Sequence, residues 1–149
     1  MAEEIFVHSY SEISDRYAIL DDNETVAFLY ITKVGMQAPE RDALAYMRIT
    51  PPKEVSLKEL IDKGEPPILP SKYASDSAVI LSPVESSFSF VWSEDGDAVS
   101  LLYGGNAIVF LSVNEPLGFS KAAAQDSPLV KQWDQSKYEQ IFQSNQWNI

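Results

Sequence analysis

Carboxylates are the chemically active side chains that this sequence groups most closely. They cluster in two short stretches between apolar segments, and the candidates are Asp21, Asp22, Glu24, Glu94, Asp95 and Asp97. A close pair of carboxylates can perform general acid–base catalysis when burial raises the pKa of one of them. Both stretches have the composition of hairpin turns, where water keeps carboxyl groups ionised and where Asp and Asn also serve turn geometry. The pattern therefore favours an exposed, partner-binding acidic surface over a catalytic site.

Other familiar catalytic and metal sites are excluded or disfavoured by residue type. The chain has no cysteine and one histidine, His8, so a tetrahedral zinc site and a cysteine nucleophile are excluded. No serine lies in a Gly-x-Ser-x-Gly motif, which disfavours a Ser-His-Asp triad. Residues 94–97 lack the ligand spacing of an EF-hand, and residues 104–106 lack the lysine of a phosphate loop. We therefore predict a non-enzymatic protein with no metal and no cofactor.

The net charge of −11 is distributed unevenly along the chain. Residues 1–32 hold seven acids and one base, and residues 73–120 hold six acids and no base, whereas the remaining segments are nearly balanced. This surplus argues against nucleic acid and against anionic membranes, which attract clustered Lys and Arg. It favours a basic protein as partner, because complementary charge accelerates encounter. A purely solubilising surface is the alternative interpretation.

Length and composition indicate one globular domain, residues 1–149, with 45% hydrophobic and 22% charged residues. We find no internal repeat and no linker long enough to separate two domains. No apolar run approaches the roughly 20 residues that cross a bilayer. The acidic N-terminus lacks the basic and apolar regions of a secretory signal. We therefore expect a cytoplasmic protein.

The first acidic stretch lies in a predicted β-hairpin. Residues 25–32 are apolar on both faces, which is typical of a central strand covered on both sides. Asp21, Asp22 and Glu24 lie in the turn that precedes this strand. Another strand is expected to end before Pro51, because the position before proline disfavours helix. The strands predicted in this half are residues 5–8, 17–20, 25–32 and 43–50.

The second acidic stretch lies in a predicted β-meander. Phe88, Phe90 and Trp92 alternate with serines, which is the two-residue period of a strand. We expect this aromatic row to pack into the core, the alternative being a platform for a peptide or ligand. Asp95-Gly96 is a strong hairpin-turn signal. The strands predicted here are residues 78–81, 88–92, 99–103 and 108–113.

Helix signals occur in the middle and at the end of the chain. Ser56 and Glu59 form a capping box for a short helix over residues 57–63. The alanines of residues 120–124 predict a second short helix. Asp134 is the expected cap of a last helix, with Trp133 and Tyr138 placed for a hydrophobic staple. Trp147 near the terminus either anchors the tail or offers an exposed contact.

Together these elements predict an α+β domain. Its antiparallel β-sheet is a meander of about five to seven strands, with the short helix 57–63 and the C-terminal helices packed on one face.

In general character the chain, as a small, acidic, cysteine-free domain of predicted α+β class, resembles bacterial toxin-immunity proteins. The resemblance rests on composition and assigns no residue. It implies an immunity- or inhibitor-type interaction module that neutralises a basic enzyme such as a bacterial toxin. The alternative is a non-enzymatic small-molecule or peptide-binding α+β domain, with its pocket between the sheet and the C-terminal helices. The expected lining of that pocket is Ser87, Ser89, Ser93 and Tyr103. An enzyme that relies on carboxylates alone is a third hypothesis, and it requires a buried carboxylate with a raised pKa.

Overall fold

A computed structural model describes residues 3–143, and these form two β-sheets that pack face to face. The first sheet has four antiparallel strands in sequence order. They are β1 (Ile5–Ser11), β2 (Arg16–Asp22), β3 (Val26–Thr32) and β4 (Pro39–Met47). As expected from its apolar faces, β3 is an interior strand, and six of its seven residues are buried.

The second sheet has five strands, also in sequence order. They are β5 (Phe88–Trp92), β6 (Ala98–Tyr103), β7 (Asn106–Ser112), β8 (Phe119–Ser120) and β9 (Lys131–Gln132). All neighbours pair antiparallel except β8 and β9, which are parallel. Helix α1 (Leu57–Asp62) lies in the connection between the sheets, a 3-10 turn (Glu85–Ser87) precedes β5, and α2 (Gln135–Phe142) follows β9.

The predicted α+β class with antiparallel pairing agrees with this structure, but the chain forms two sheets where one meander was expected. The connection from β4 to β5 explains the difference. It contains Pro51, Pro52 and Pro70, and prolines lack the N–H that a further ladder strand needs. Each sheet also has an apolar face, and two such faces are buried most completely when they cover each other.

The core lies between the sheets. Strands β3 and β4 of the first sheet face β6 and β7 of the second. The Tyr46 ring stacks on Phe88 across this interface, with ring centroids 5.7 Å apart. The fully inaccessible side chains include Leu20, Leu29, Ile31, Leu44, Leu101, Val109 and Leu111. The aromatic row of β5 packs partly against this core, as the sequence predicts.

Helix α2 packs on the other side of the second sheet. Phe110 projects from β7 away from the main core and forms a separate cluster with Phe119 and Tyr138. Asp134 caps the helix by accepting a hydrogen bond from the Lys137 amide at 3.0 Å. The Trp133 ring lies 5.0 Å from that of Tyr138. The cap and this hydrophobic contact were both expected from the sequence.

Two predicted elements were wrong and one was nearly right. The alanine-rich stretch 120–124 is not helical, because Ser120 ends β8 and its hydroxyl accepts from the Ala122 amide in a tight turn. Residues 78–81 contribute one isolated bridge between Val79 and Met47 and no strand. The helix predicted over 57–63 spans Leu57–Asp62, capped by Ser56. Trp147 lies outside the described residues. Within residues 3–143, every helix is too short or too polar to cross a bilayer.

Gly118 provides a test of how closely the sheets approach. A methyl group there would lie 2.6 Å from the Ala43 Cβ and 2.6 Å from a δ-carbon of Leu111. We expect Gly118→Ala to lower the free energy of unfolding by about 1–3 kcal/mol through overpacking, measured by urea denaturation. Adding Ala43→Gly should recover part of the loss. A Gly118→Ala protein as stable as the original would contradict this packing.

Candidate functional site

The two predicted acidic stretches lie at opposite ends of the first sheet. Asp21 and Asp22 are the last residues of β2, whereas the 94–97 turn contacts Arg16, the first residue of that strand. Six residue-to-residue steps of extended chain separate Arg16 from Asp22, a distance of roughly 20 Å. The six predicted carboxylates therefore do not form one surface.

Asp22 is completely buried and does not contribute an exposed carboxylate. One of its oxygens accepts hydrogen bonds from the Tyr46 hydroxyl and from Arg48 Nε, the latter at 3.0 Å. Arg48 Nη2 lies 2.8 Å from the same oxygen and also donates to the Glu3 carbonyl. Burial, and then the hydrogen bond to Asp22, raise the pKa of the Tyr46 hydroxyl well above its usual range. Asp22 thus holds an internal network together, and a partner at the surface does not reach it.

The other two carboxylates of the first stretch are exposed. Asp21 points to the opposite face of the sheet from Asp22, since neighbouring strand residues alternate. Glu24 lies in the turn between β2 and β3 with a positive φ of 79°. The Asp22 side chain accepts from the Glu24 amide at 2.8 Å, so the buried aspartate also fixes the shape of this turn.

The second predicted stretch packs against the turn between β1 and β2. Gly96 is buried at the tip of the β5–β6 hairpin with a φ of +73°. A Cβ atom there would lie 2.5 Å from the hydroxyl oxygens of Ser11 and Ser14. Only glycine allows both this backbone conformation and this close approach. The contact brings acids from the two most acidic segments of the chain to one end of the molecule.

Arg16 lies at the centre of this end. Its guanidinium donates to Glu40 at 2.7 Å and to Asp97 at 3.1 Å, and it also donates to the Thr32 carbonyl at 2.8 Å. Arg16 is 7% exposed, so its positive charge is paired within the protein and is not presented at the surface. It links β2 to β4 and to the second sheet.

We call the surface around Arg16 the acidic end. Its six carboxylates lie in two turns and at the start of β4; they are Glu12, Asp15, Glu40, Glu94, Asp95 and Asp97. Arg41 is nearby, but it donates to the carbonyls of Val113 and Glu115. The exposed Lys33 is a further cation that acts on Glu40. Negative charge therefore predominates at this surface.

Two of these carboxyl groups are held in the ionised form by hydrogen bonds. The bond from Arg16 lowers the pKa of the Glu40 carboxyl. The bond from the Asp97 amide, followed by that from the Ser93 hydroxyl, lowers the pKa of Asp95. Asp95 accepts these at 3.0 and 2.8 Å as part of the hairpin turn. Groups with lowered pKa values suit the recognition of cations better than the donation of protons.

A groove of about 350 Å³ adjoins the acidic end. It runs between the β5–β6 hairpin and α2, and it is lined by Ser93, Glu94, Asp95, Asp97, Ala98, Ser112, Asn114, Gln140 and Ile141. Of the residues that sequence reasoning suggested for a pocket between sheet and helices, Ser93 lines this groove. Ser87, Ser89 and Tyr103 do not.

Several residues of the acidic end were not recognised from the sequence. No motif distinguishes the three turn-associated acids Glu12, Asp15 and Glu40. Nothing in the local sequence indicates that Arg16 pairs with acids distant in the chain. The one usable signal is that Arg16 is the lone base of residues 1–32. Within residues 3–143, no three carboxylate or histidine side chains lie close enough together to hold a metal ion.

Comparison with known proteins gave no matching family model, no matching curated protein and no matching solved structure.

Asp22 and Asp21 form a matched pair that separates an internal role from a surface role. Asp22→Ala leaves the Arg48 guanidinium and the Tyr46 hydroxyl without their shared acceptor, so we expect it to lower the free energy of unfolding by about 3–5 kcal/mol. Asp21→Ala removes an exposed charge and should change it by no more than about 0.5 kcal/mol. Chemical denaturation of both variants measures this difference. Equal effects would contradict the assigned role of Asp22.

The ion pair between Arg16 and Glu40 should make stability depend on pH. Because the pKa of folded Glu40 lies below its usual value of 4.5, its contribution is fully present above that value and is lost as the pH falls through the folded pKa. Relative to the original protein, Glu40→Gln should be less stable by about 0.5–1 kcal/mol at pH 7, since the pair is partly exposed. The difference should shrink as the pH falls below 4.5 and the carboxyl takes up its proton. Urea denaturation from pH 7 to pH 3 tests this, and a constant difference would contradict it.

Proposed function

We propose that this protein is an acidic interaction module that binds a basic protein, of the kind represented by immunity and inhibitor proteins that neutralise a basic toxin. The observation that carries the proposal is the meeting of two acidic segments at one end of the molecule. The contact of Gly96 with Ser11 and Ser14 joins them. Acidic residues that served only to increase solubility would not need to lie together at one end of the molecule.

The arrangement of charge supports attraction of a cationic surface. Arg16 and Arg41 are bound within the protein, so they offset the carboxylates locally without presenting positive charge to a partner. Glu12 and Glu94 are exposed and form no side-chain hydrogen bond among the described residues. Their free carboxylates are able to pair with Lys or Arg of a partner, and the field of the whole end steers its approach.

The proposed role is non-enzymatic. The carboxylates at the acidic end are exposed or half-exposed, and the pKa values of Glu40 and Asp95 are lowered. A general acid needs the opposite shift, and the carboxyl whose pKa is raised by burial, Asp42, lies outside the acidic end. If the partner is a toxin that attacks nucleic acids, the protein is needed in the cytoplasm, where such a toxin acts.

The groove beside the acidic end favours a second function. Its lining combines three carboxylates with Asn114, Gln140 and the apolar Ile141. That chemistry suits a small cationic ligand or the basic side chain of a peptide. A small-molecule or peptide-binding domain is therefore the alternative, and a bound amine at this groove without a protein partner would favour it.

Charge reversal at Glu12 and Glu94 tests the proposal. The immobilised protein is used to capture proteins from a lysate of its own cell at low salt, and the captured protein is then purified. We expect a basic protein whose association rate with Glu12→Lys/Glu94→Lys falls at least about tenfold at low salt, because steering is lost. Stopped-flow fluorescence measures this rate at 20 mM and at high salt, where the difference should shrink.

A matched control separates local charge from total charge. Glu54→Lys/Glu65→Lys changes the net charge equally, and both residues are exposed in the connection between the sheets. This pair should slow association much less than the pair at the acidic end. Equal slowing by both pairs, or capture of acidic and neutral proteins alone, would contradict the proposed role.

A further inference from the structure

The outer face of the first sheet exposes an unusual number of apolar and aromatic side chains. Phe6, His8 and Tyr10 alternate along β1 and point outward, and Phe6 is 60% exposed. On the neighbouring strand Ile19 pairs with His8 and Tyr17 pairs with Tyr10. The rings of Tyr10 and Tyr17 lie 4.9 Å apart. We call these five residues the aromatic face.

Two adjacent loops extend this surface. Ile13 is 75% exposed in the β1–β2 turn, and Val34 and Met36 are exposed in the β3–β4 loop. The two loops are joined where the Gly35 amide donates to the Asp15 carbonyl at 2.8 Å. Together with Phe6 and Tyr10, these residues make up five of the ten large apolar side chains exposed in the described part of the chain. Such concentration on one side is typical of an interaction surface.

Carboxylates border the aromatic face. Asp15 accepts a hydrogen bond from the Tyr10 hydroxyl at 2.7 Å. Asp21 pairs with Phe6 across β1 and β2, and Asp42 pairs with Tyr30 across β3 and β4. Burial, and then the negative charges of Asp42 and Asp21, raise the pKa of the Tyr30 hydroxyl, which places both carboxylates near this ring. The exposed Lys33 lies in the β3–β4 loop, which contacts the Asp15 end of this face.

We infer that the aromatic face is the docking surface for an arginine-bearing segment of a basic protein, with Phe6 and Tyr10 as packing anchors and Asp15, Asp21 and Asp42 as counter-charges. This inference rests on the proposed function and adds a surface that sequence reasoning did not identify. Arginine fits because its planar guanidinium stacks on aromatic rings and pairs with carboxylates at the same time.

Charge decides between possible occupants of this surface. A second copy of the chain would bring the same carboxylates against each other, and juxtaposed like charges oppose association. An anionic membrane surface would repel them for the same reason. A basic polypeptide satisfies both the aromatic rings and the carboxylates around them.

Nuclear magnetic resonance titration tests the inference. The labelled protein is titrated at low salt with a ten-residue peptide of alternating arginine and leucine, and with a glutamate–leucine peptide as the control ligand. We expect the arginine peptide alone to shift amide signals along β1, β2 and the 33–38 loop. Phe6→Ala/Tyr10→Ala should weaken its binding roughly tenfold, because two exposed ring contacts are lost.

A matched variant controls for the loss of exposed apolar surface. Leu81 and Val84 are also exposed large apolar residues, and Leu81→Ala/Val84→Ala should leave the affinity unchanged. Shifts confined to the 93–97 turn, with affinity unaffected by Phe6→Ala/Tyr10→Ala, would overturn this inference while supporting the proposed function. No binding of the arginine peptide would count against both. Self-association of the protein through this face, measured by sedimentation, would also overturn it.

Discussion

The apolar interface between the two sheets is the constraint on which the rest of the structure depends. Strands β3 and β4 meet β6 and β7 there, and most of the side chains between them are inaccessible to water. Charged groups at the margins of such an interface must find partners within the protein, because an unpaired buried charge is very costly. Both ends of β2 meet this requirement, Asp22 through Arg48 and Tyr46, and Arg16 through Glu40 and Asp97.

This internal pairing has a consequence for the surface. The chain contains three arginines, Arg16, Arg41 and Arg48, and the structure binds all of them to carboxylates or backbone carbonyls. Exposed positive charge in the described residues is therefore carried by lysines, whereas carboxylates occupy the turns. The fold thus holds the guanidinium groups in internal pairs and leaves most of the carboxylates, Asp22 excepted, at the surface. Because Arg16 is buried, the surface around it is more acidic than the count of acids and bases in the local sequence suggests.

Features of the fold that depend on a few neighbouring residues were predicted from the sequence, whereas features that depend on contacts between distant residues were not. The Asp95-Gly96 turn and the caps at Ser56 and Asp134 were predicted, since each is determined by a few neighbouring residues. The pairing of Asp97 with Arg16 joins residues 81 positions apart, and no local pattern encodes it. Asp22 is an instructive failure. The buried Ala18 and Leu20 precede it at intervals of two, so continuing that period through residue 22 would have placed its side chain inside.

The acidic end and the aromatic face meet at the β1–β2 turn, and this continuity links the two proposals. Asp15 belongs to both surfaces, because its side chain binds Tyr10 and its carbonyl holds the β3–β4 loop. Carboxylates act over roughly a Debye length and so mainly govern how fast a basic partner arrives. Aromatic contacts act only when desolvated and mainly govern how long it stays. A partner that spans the turn is therefore attracted mainly by one surface and retained mainly by the other, so salt should slow its arrival more than it hastens its departure.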